Sequence, residues 1–154
     1  MNTTRRTLLN LLGLAALLPL AACAGAAREP MVEVWKSPTC GCCKDWIAHM
    51  EANGFIVKTF DTGNNDMRAQ LGMPVEFGSC HTARVGEYVL EGHVPASDVR
   101  RLLMEKPKAL GLAVPAMPIG SPGMDGPEYK GRKDPYDVLL VQRDGAASVY
   151  RSYR

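Results

Sequence analysis

Aromatic residues are scarce in this chain, at 6% of its 154 positions, and so is any imbalance of charge, with 18 Lys plus Arg against 16 Asp plus Glu. Arg5 and Arg6 make up the whole positive excess, because no other charged residue precedes Arg28. The remainder of the chain is neutral overall, so the basic surface of a nucleic-acid binder is missing and no nucleic-acid partner is expected. Beyond the first 22 residues no run is long or apolar enough to span a bilayer. No internal repeat is present either. With 46% hydrophobic and 22% charged residues, the chain has enough apolar side chains for one globular domain and is not a disordered polymer.

What the N-terminus does have is an address. Arg5 and Arg6 precede Leu8 to Ala22, a stretch apolar except for Asn10 and broken by Gly13 and Pro19, which reads as a signal-peptide core. It ends in Leu20-Ala21-Ala22-Cys23, which resembles a bacterial lipobox, where the cysteine is lipidated and the chain is cut before it. Cys23 is then the lipidation site, and its acyl chains hold the protein on a membrane surface. An uncleaved anchor, or cleavage after the small residues ending at Ala27, is the alternative. Thr4-Arg5-Arg6-Thr7-Leu8-Leu9 also resembles a twin-arginine signal, and the export route stays open. The expected organisation is a signal peptide over 1–22, a tether over 23–30 and one domain over 31–154, facing the oxidising periplasm.

Met31-Val32-Glu33-Val34-Trp35 reads as a strand ended by Ser37-Pro38. Thr39 is placed to cap a helix from Cys40 to Ala52, with Cys43, Trp46, Ile47 and Met50 on its core stripe. After Asn53-Gly54, Phe55 to Phe60 alternates apolar residues on both sides and predicts a strand buried on both faces, parallel to the first. A short helix over Asn65 to Leu71, with Asn64 or Asn65 as cap, comes next. Strands over His81 to Val85 and Tyr88 to Glu91 flank a Gly86-Glu87 turn, and a helix over Ser97 to Lys106 comes after them. Pro107 to Pro127, rich in Gly and Pro, is expected to hold no regular structure. Asp137 to Arg143 and Ala147 to Tyr150 form a hairpin about Asp144-Gly145. The order β-α-β-α-β-β-α predicts an α/β, thioredoxin-like fold, a central mixed sheet flanked by helices with an added C-terminal β-hairpin. Such a fold fixes no function.

Chemistry enters with Cys40-Gly41-Cys42-Cys43-Lys44, three thiols in four residues at a helix N-terminus. The helix dipole and Lys44 favour thiolate there, and with it nucleophilicity and metal binding. Cys43 follows the core stripe, Cys40 sits at the open end and Cys42 shares another face with Trp46 and His49. A fourth thiol, Cys80, precedes His81 at a strand start. Thiolate, thioether and imidazole together select Cu(I), and bridging sulfur allows more than one copper. Zinc suits the adjacent Cys42 and Cys43 poorly. His81, His93, Met117 and Met124 are candidate further ligands, each with a packing or loop-bonding role as the alternative. His49, four residues after Asp45, reads as part of an exposed helix pair. Two other readings stay open. Cys40 and Cys43 form a C-x-x-C as in thiol-disulfide oxidoreductases, although Cys42 between them invites misdirected exchange. Alternatively the cysteines are structural and the domain is an interaction module.

Cys40-Gly41-Cys42-Cys43, Trp46, Asn53-Gly54-Phe55, Ser79-Cys80-His81-Thr82, Glu91-Gly92-His93-Val94-Pro95 and Met117-Pro118-Ile119-Gly120-Ser121-Pro122-Gly123-Met124 occur in that order. Together they resemble the CopG-like family of exported copper-resistance proteins, long catalogued as a domain of unknown function. The resemblance covers Val32 to Gly126. It implies a thioredoxin-like copper-binding domain holding a Cys-bridged Cu(I) cluster, with a capacity to shuttle copper between oxidation states. Carried over by position, Cys40, Cys42, Cys43 and Cys80 are the cluster thiolates. The expectation is a lipid-anchored periplasmic protein that sequesters Cu(I), contributes to copper resistance and exchanges copper with other periplasmic copper-handling proteins.

Overall fold

The β-branched and aromatic residues at the start of the domain pair at once. In the computed structural model, which describes residues 29–154, Met31–Lys36 forms β1 and lies parallel to β2, Ile56–Phe60, across the helix α1, Gly41–Ala52. The helix α2, Asn65–Gln70, then returns the chain to β3, His81–Val85, which runs antiparallel to β1 and turns into β4, Tyr88–Glu91. The helix α3, Ala96–Glu105, closes the expected order, ending with Lys106 in the left-handed region. The element order β-α-β-α-β-β-α is the one read from the sequence, and its strands stand in the mixed sheet in the order β2-β1-β3-β4.

Three expectations need correction. The Pro107 to Pro127 segment is not wholly irregular, because Gly111–Ala113 forms a strand, β5, parallel to β4. A side chain at Gly111 would drive its Cβ into the Val89 carbonyl oxygen, so the residue that looks like a breaker permits the pairing. The strand β2 is not buried on both faces. It is the sheet edge, with Ile56 47% exposed, while Val57 packs against the core and Phe60 stacks on Trp35. Thr39 does not cap α1: Cys40 occupies the cap without a side-chain bond, and the Thr39 hydroxyl pairs with Ser37 instead.

Of the C-terminal strands, β6, Tyr136–Val141, ends two residues before its predicted end and β7, Ala147–Tyr153, runs three residues past its own, and both continue the same sheet through β5, giving seven strands. The sheet carries an apolar layer on each face. Trp46 and Met50 of α1 and Val99 and Leu102 of α3 pack with Val32, Val34, Leu90 and Leu112, while Met73, Leu110, Val89, Ala113 and Val141 form the second layer. Alternation along β4 and β5 sends Leu90 and Leu112 one way and Val89 and Ala113 the other, as the period of a strand requires. Among the described residues no helix is long and apolar enough to cross a membrane. The expected signal peptide, Cys23 and nearly all of the tether lie outside the described residues.

Candidate metal centre

The chemistry-bearing side chains meet where α1 begins, β3 starts and β4 ends. Register does this: β1 pairs Lys36 with His81, which brings the residue before β3, Cys80, under the first turn of α1. The Cys42 Sγ lies 3.6 Å from the Cys40 Sγ, 3.8 Å from the Cys80 Sγ and 4.0 Å from the Met117 Sδ. Cys40 and Cys43 are joined as a disulfide, so four thiolates are available only after that bond is reduced. Cys42 and Cys80 are free. Cys43 is fully buried on the core stripe, as expected, and its sulfur sits 3.6 Å from the Cys80 carbonyl oxygen.

Both candidate imidazoles face Cys80. The His93 Nε2 is 3.1 Å from its sulfur, and the His81 Nδ1 is 3.4 Å away. The His93 Nδ1 donates to the Pro122 carbonyl at 2.7 Å, so its Nε2 carries the lone pair toward the thiol. A backbone carbonyl fixing the far nitrogen is the usual support of a metal-binding imidazole. His81 is fully buried and its Nε2 has no partner, an uncompensated polar atom that costs about 1–3 kcal/mol in a metal-free interior. The thiol can donate to only one of the two rings, so the His81 Nδ1 either donates to the Cys80 sulfur or turns a lone pair toward it. Burial, followed by the nearby Cys42, pushes the Cys80 thiol up to about 12, and burial also holds both imidazoles below their ordinary range. Cys80 would have to give up its proton to hold a metal here, while the two imidazoles would already be neutral.

The loop carrying Cys80 is clamped from beneath. Glu91, fully buried, accepts the Ser79 amide at 2.7 Å, the Thr82 hydroxyl at 2.6 Å and the Arg68 Nε at 2.9 Å. Arg68 also donates to the Ser79 carbonyl at 2.7 Å, joined there by the Asn64 side chain at 3.2 Å. The Ser79 hydroxyl donates to the carbonyl of Ala116, a residue with φ of 62°, which ties the Met117 loop to the Cys80 loop. The same loop rests on α1 at Gly123, where a Cβ would lie 2.6 Å from the Cys42 carbonyl oxygen. Met117 is 47% exposed and leaves the thiols open to solvent on that side.

Cys40, Cys42, Cys43, Cys80, His81, His93 and Met117 are therefore gathered in one place. The Met124 sulfur accepts the Tyr129 hydroxyl at 3.4 Å. Sequence reasoning missed Arg68 and Glu91. A charged residue ending an otherwise apolar strand was the available signal for Glu91, while nothing marked Arg68 on its short helix. It also misjudged His49, whose Nε2 accepts the Ala96 amide at 3.1 Å and so caps α3. A cleft of about 850 Å³ at the far end of the β3–β4 hairpin contains none of these residues.

All three histidines of the chain are held below the usual imidazole range, mainly by burial. The unfolded chain takes up protons near about pH 6.5 and the folded one only lower, so this part of the stability is complete above that pH and is lost on acidification. The urea midpoint of the metal-free protein is expected to fall between about pH 7.5 and about pH 5.5. His49→Leu, which leaves the Ala96 amide unpaired, is expected to cost about 1 kcal/mol and to flatten part of that slope. A midpoint that does not move with pH contradicts the assignment of neutral, buried imidazoles.

Comparison with known proteins places this geometry. A family model described as a protein of unknown function, DUF411, matches residues 77–124. No curated protein matches the chain. Among solved structures, "Copper resistance protein copG- Form 2" is 42% identical with a TM-score of 0.75, covering 82% of this chain and 99% of that one. "Copper resistance protein copG- Form 1" is 44% identical with a TM-score of 0.74, covering 81% and 98%.

Proposed function

Since the chain belongs to the CopG family of copper resistance proteins, we propose that it binds Cu(I) through Cys40, Cys42, Cys43 and Cys80, with His81, His93, Met117 and Met124 as further ligands. The observation that carries the reading is the approach of Cys42 to Cys80 and Met117 at 3.8 and 4.0 Å. Soft ligands each about 2.3 Å from one ion stand about 3.7–4.0 Å apart in tetrahedral or trigonal arrangement. With the disulfide reduced, four thiolates in bridging distance hold more than one copper. The protein works as an exported lipoprotein, cut before Cys23 and anchored to a membrane through it, sequestering copper in the periplasm and passing it to other copper-handling proteins. Met124 is the weakest ligand of the set, because the Tyr129 hydroxyl occupies its sulfur.

Elemental analysis of the protein purified from its native compartment, with a free-thiol count, tests this. Two or more coppers per chain, with thiols that titrate only after chelation, are expected. A reduced protein that takes up no copper overturns the reading.

The Cys40–Cys43 disulfide at a helix N-terminus also favours a second reading, thiol-disulfide exchange with Cys40 attacking and Cys43 resolving. Its difficulty is Cys42, whose sulfur lies 3.6 Å from that of Cys40 and competes for any mixed disulfide. Reduction of insulin by the copper-free protein separates the two: rapid turnover favours exchange, none favours copper handling.

A further inference from the structure

We propose that closing the Cys40–Cys43 disulfide does not empty the centre but shrinks it, leaving a one-ion Cu(I) site made by Cys42, Cys80, Met117 and His93. The proposal rests on the copper-binding reading and deepens it by making capacity depend on the redox state of one cysteine pair. In the disulfide form these four ligand atoms remain in a chain of contacts, with Met117 Sδ to Cys42 Sγ at 4.0 Å, Cys42 Sγ to Cys80 Sγ at 3.8 Å and Cys80 Sγ to His93 Nε2 at 3.1 Å. None of them belongs to the disulfide. The donor atoms are two thiols, a thioether and an imidazole, all soft or borderline, a set that prefers a monovalent soft ion to a hard divalent one.

Their supports are independent of the pair as well. His93 is oriented by the Pro122 carbonyl, Cys80 by the Arg68 and Glu91 clamp on Ser79, and Met117 by the Ser79 hydroxyl on Ala116. Pairing Cys40 with Cys43 disturbs none of these bonds. Filling the small site converts two thiols and one Cu(I) to a bis-thiolate complex and releases two protons to water. Opening the larger site requires a dithiol reductant, which gives two electrons and two protons to the Cys40–Cys43 bond and itself becomes a disulfide.

The test uses the wild-type protein with the disulfide intact, verified by mass and by two free thiols. It is titrated anaerobically with Ag(I), a soft ion that takes no part in thiol redox chemistry at the disulfide, and then with Cu(I), each against a competing chelator. One ion per chain is expected, with both free thiols protected from alkylation and the disulfide unchanged. After dithiol reduction the capacity is expected to exceed one. Met117→Leu keeps volume and apolarity and is expected to weaken Ag(I) binding by the closed form at least about tenfold. The double variant Cys40→Ser with Cys43→Ser, which cannot form the disulfide, is expected to retain one ion. Should that variant not fold, the wild-type closed form decides alone. A closed form that binds nothing, or more than one ion, while the reduced form takes up several overturns the inference and leaves the copper reading standing. No binding in either form overturns both.

Discussion

Cys42→Ser is expected to lower Cu(I) affinity by at least about a hundredfold, beyond the 10–100-fold that loss of a supporting group outside the ligands costs. The reason is position. Cys42 is the sulfur that touches the most of the other sulfurs, at 3.6 Å from Cys40, 3.8 Å from Cys80 and 4.0 Å from Met117, so its removal separates Cys80 and its histidines from the other sulfur ligands that it bridges. It also lies off the core stripe and outside the disulfide, so the metal-free fold is expected to change by no more than about 0.5 kcal/mol. Cys43→Ser supplies the contrast. Cys43 is fully buried and bonded to Cys40, so Cys43→Ser opens the disulfide and is expected to cost about 2 kcal/mol whatever the metal does. Chelator competition for affinity and urea unfolding for stability measure the two effects separately. Unchanged Cu(I) affinity in Cys42→Ser would remove the thiolate centre from consideration.

The legible part of this protein is what local pattern controls. The stripe of Cys43, Trp46 and Met50 specified both α1 and its buried face, and the Gly86-Glu87 turn specified the β3–β4 hairpin. The Cys, His and Met motifs, spread along the sequence, converge because the β1–β3 register and the α1 N-terminus bring them together. What local pattern does not control was misread. Whether β2 is central or at an edge depends on a neighbouring strand that its own residues do not encode. Gly111 looks like a loop residue until the Val89 carbonyl beside it is known. C-x-x-C spacing allows both a disulfide and two metal ligands, and redox conditions choose between them. Arg68 was invisible because its partners, Ser79 and Glu91, are 11 and 23 residues away along the chain.

That hidden residue carries the second large effect. Arg68→Ala is expected to destabilise the protein by about 3–5 kcal/mol, because it leaves the buried Glu91 carboxyl without its cation and the Ser79 carbonyl without its strongest donor. Arg68→Lys keeps the charge but not the fork that reaches Glu91, Ser79 and Asn65 together, so a partial loss is expected. Stability alone does not say whether the ion pair matters to the centre. The double variant Arg68→Leu with Glu91→Leu does, since replacing both members of a buried pair by apolar residues restores much of the lost stability. Ser79 then has neither the Glu91 acceptor for its amide nor the Arg68 donor for its carbonyl, and the adjacent Cys80 loses its fixed distance to Cys42. The expected result is a variant clearly more stable than Arg68→Ala in urea midpoint but weaker than wild type in Cu(I) affinity by about tenfold or more, the scale on which supporting groups act. Recovery of both quantities would make the pair a structural element alone, whereas recovery of stability without affinity assigns it the task of holding Cys80 in place.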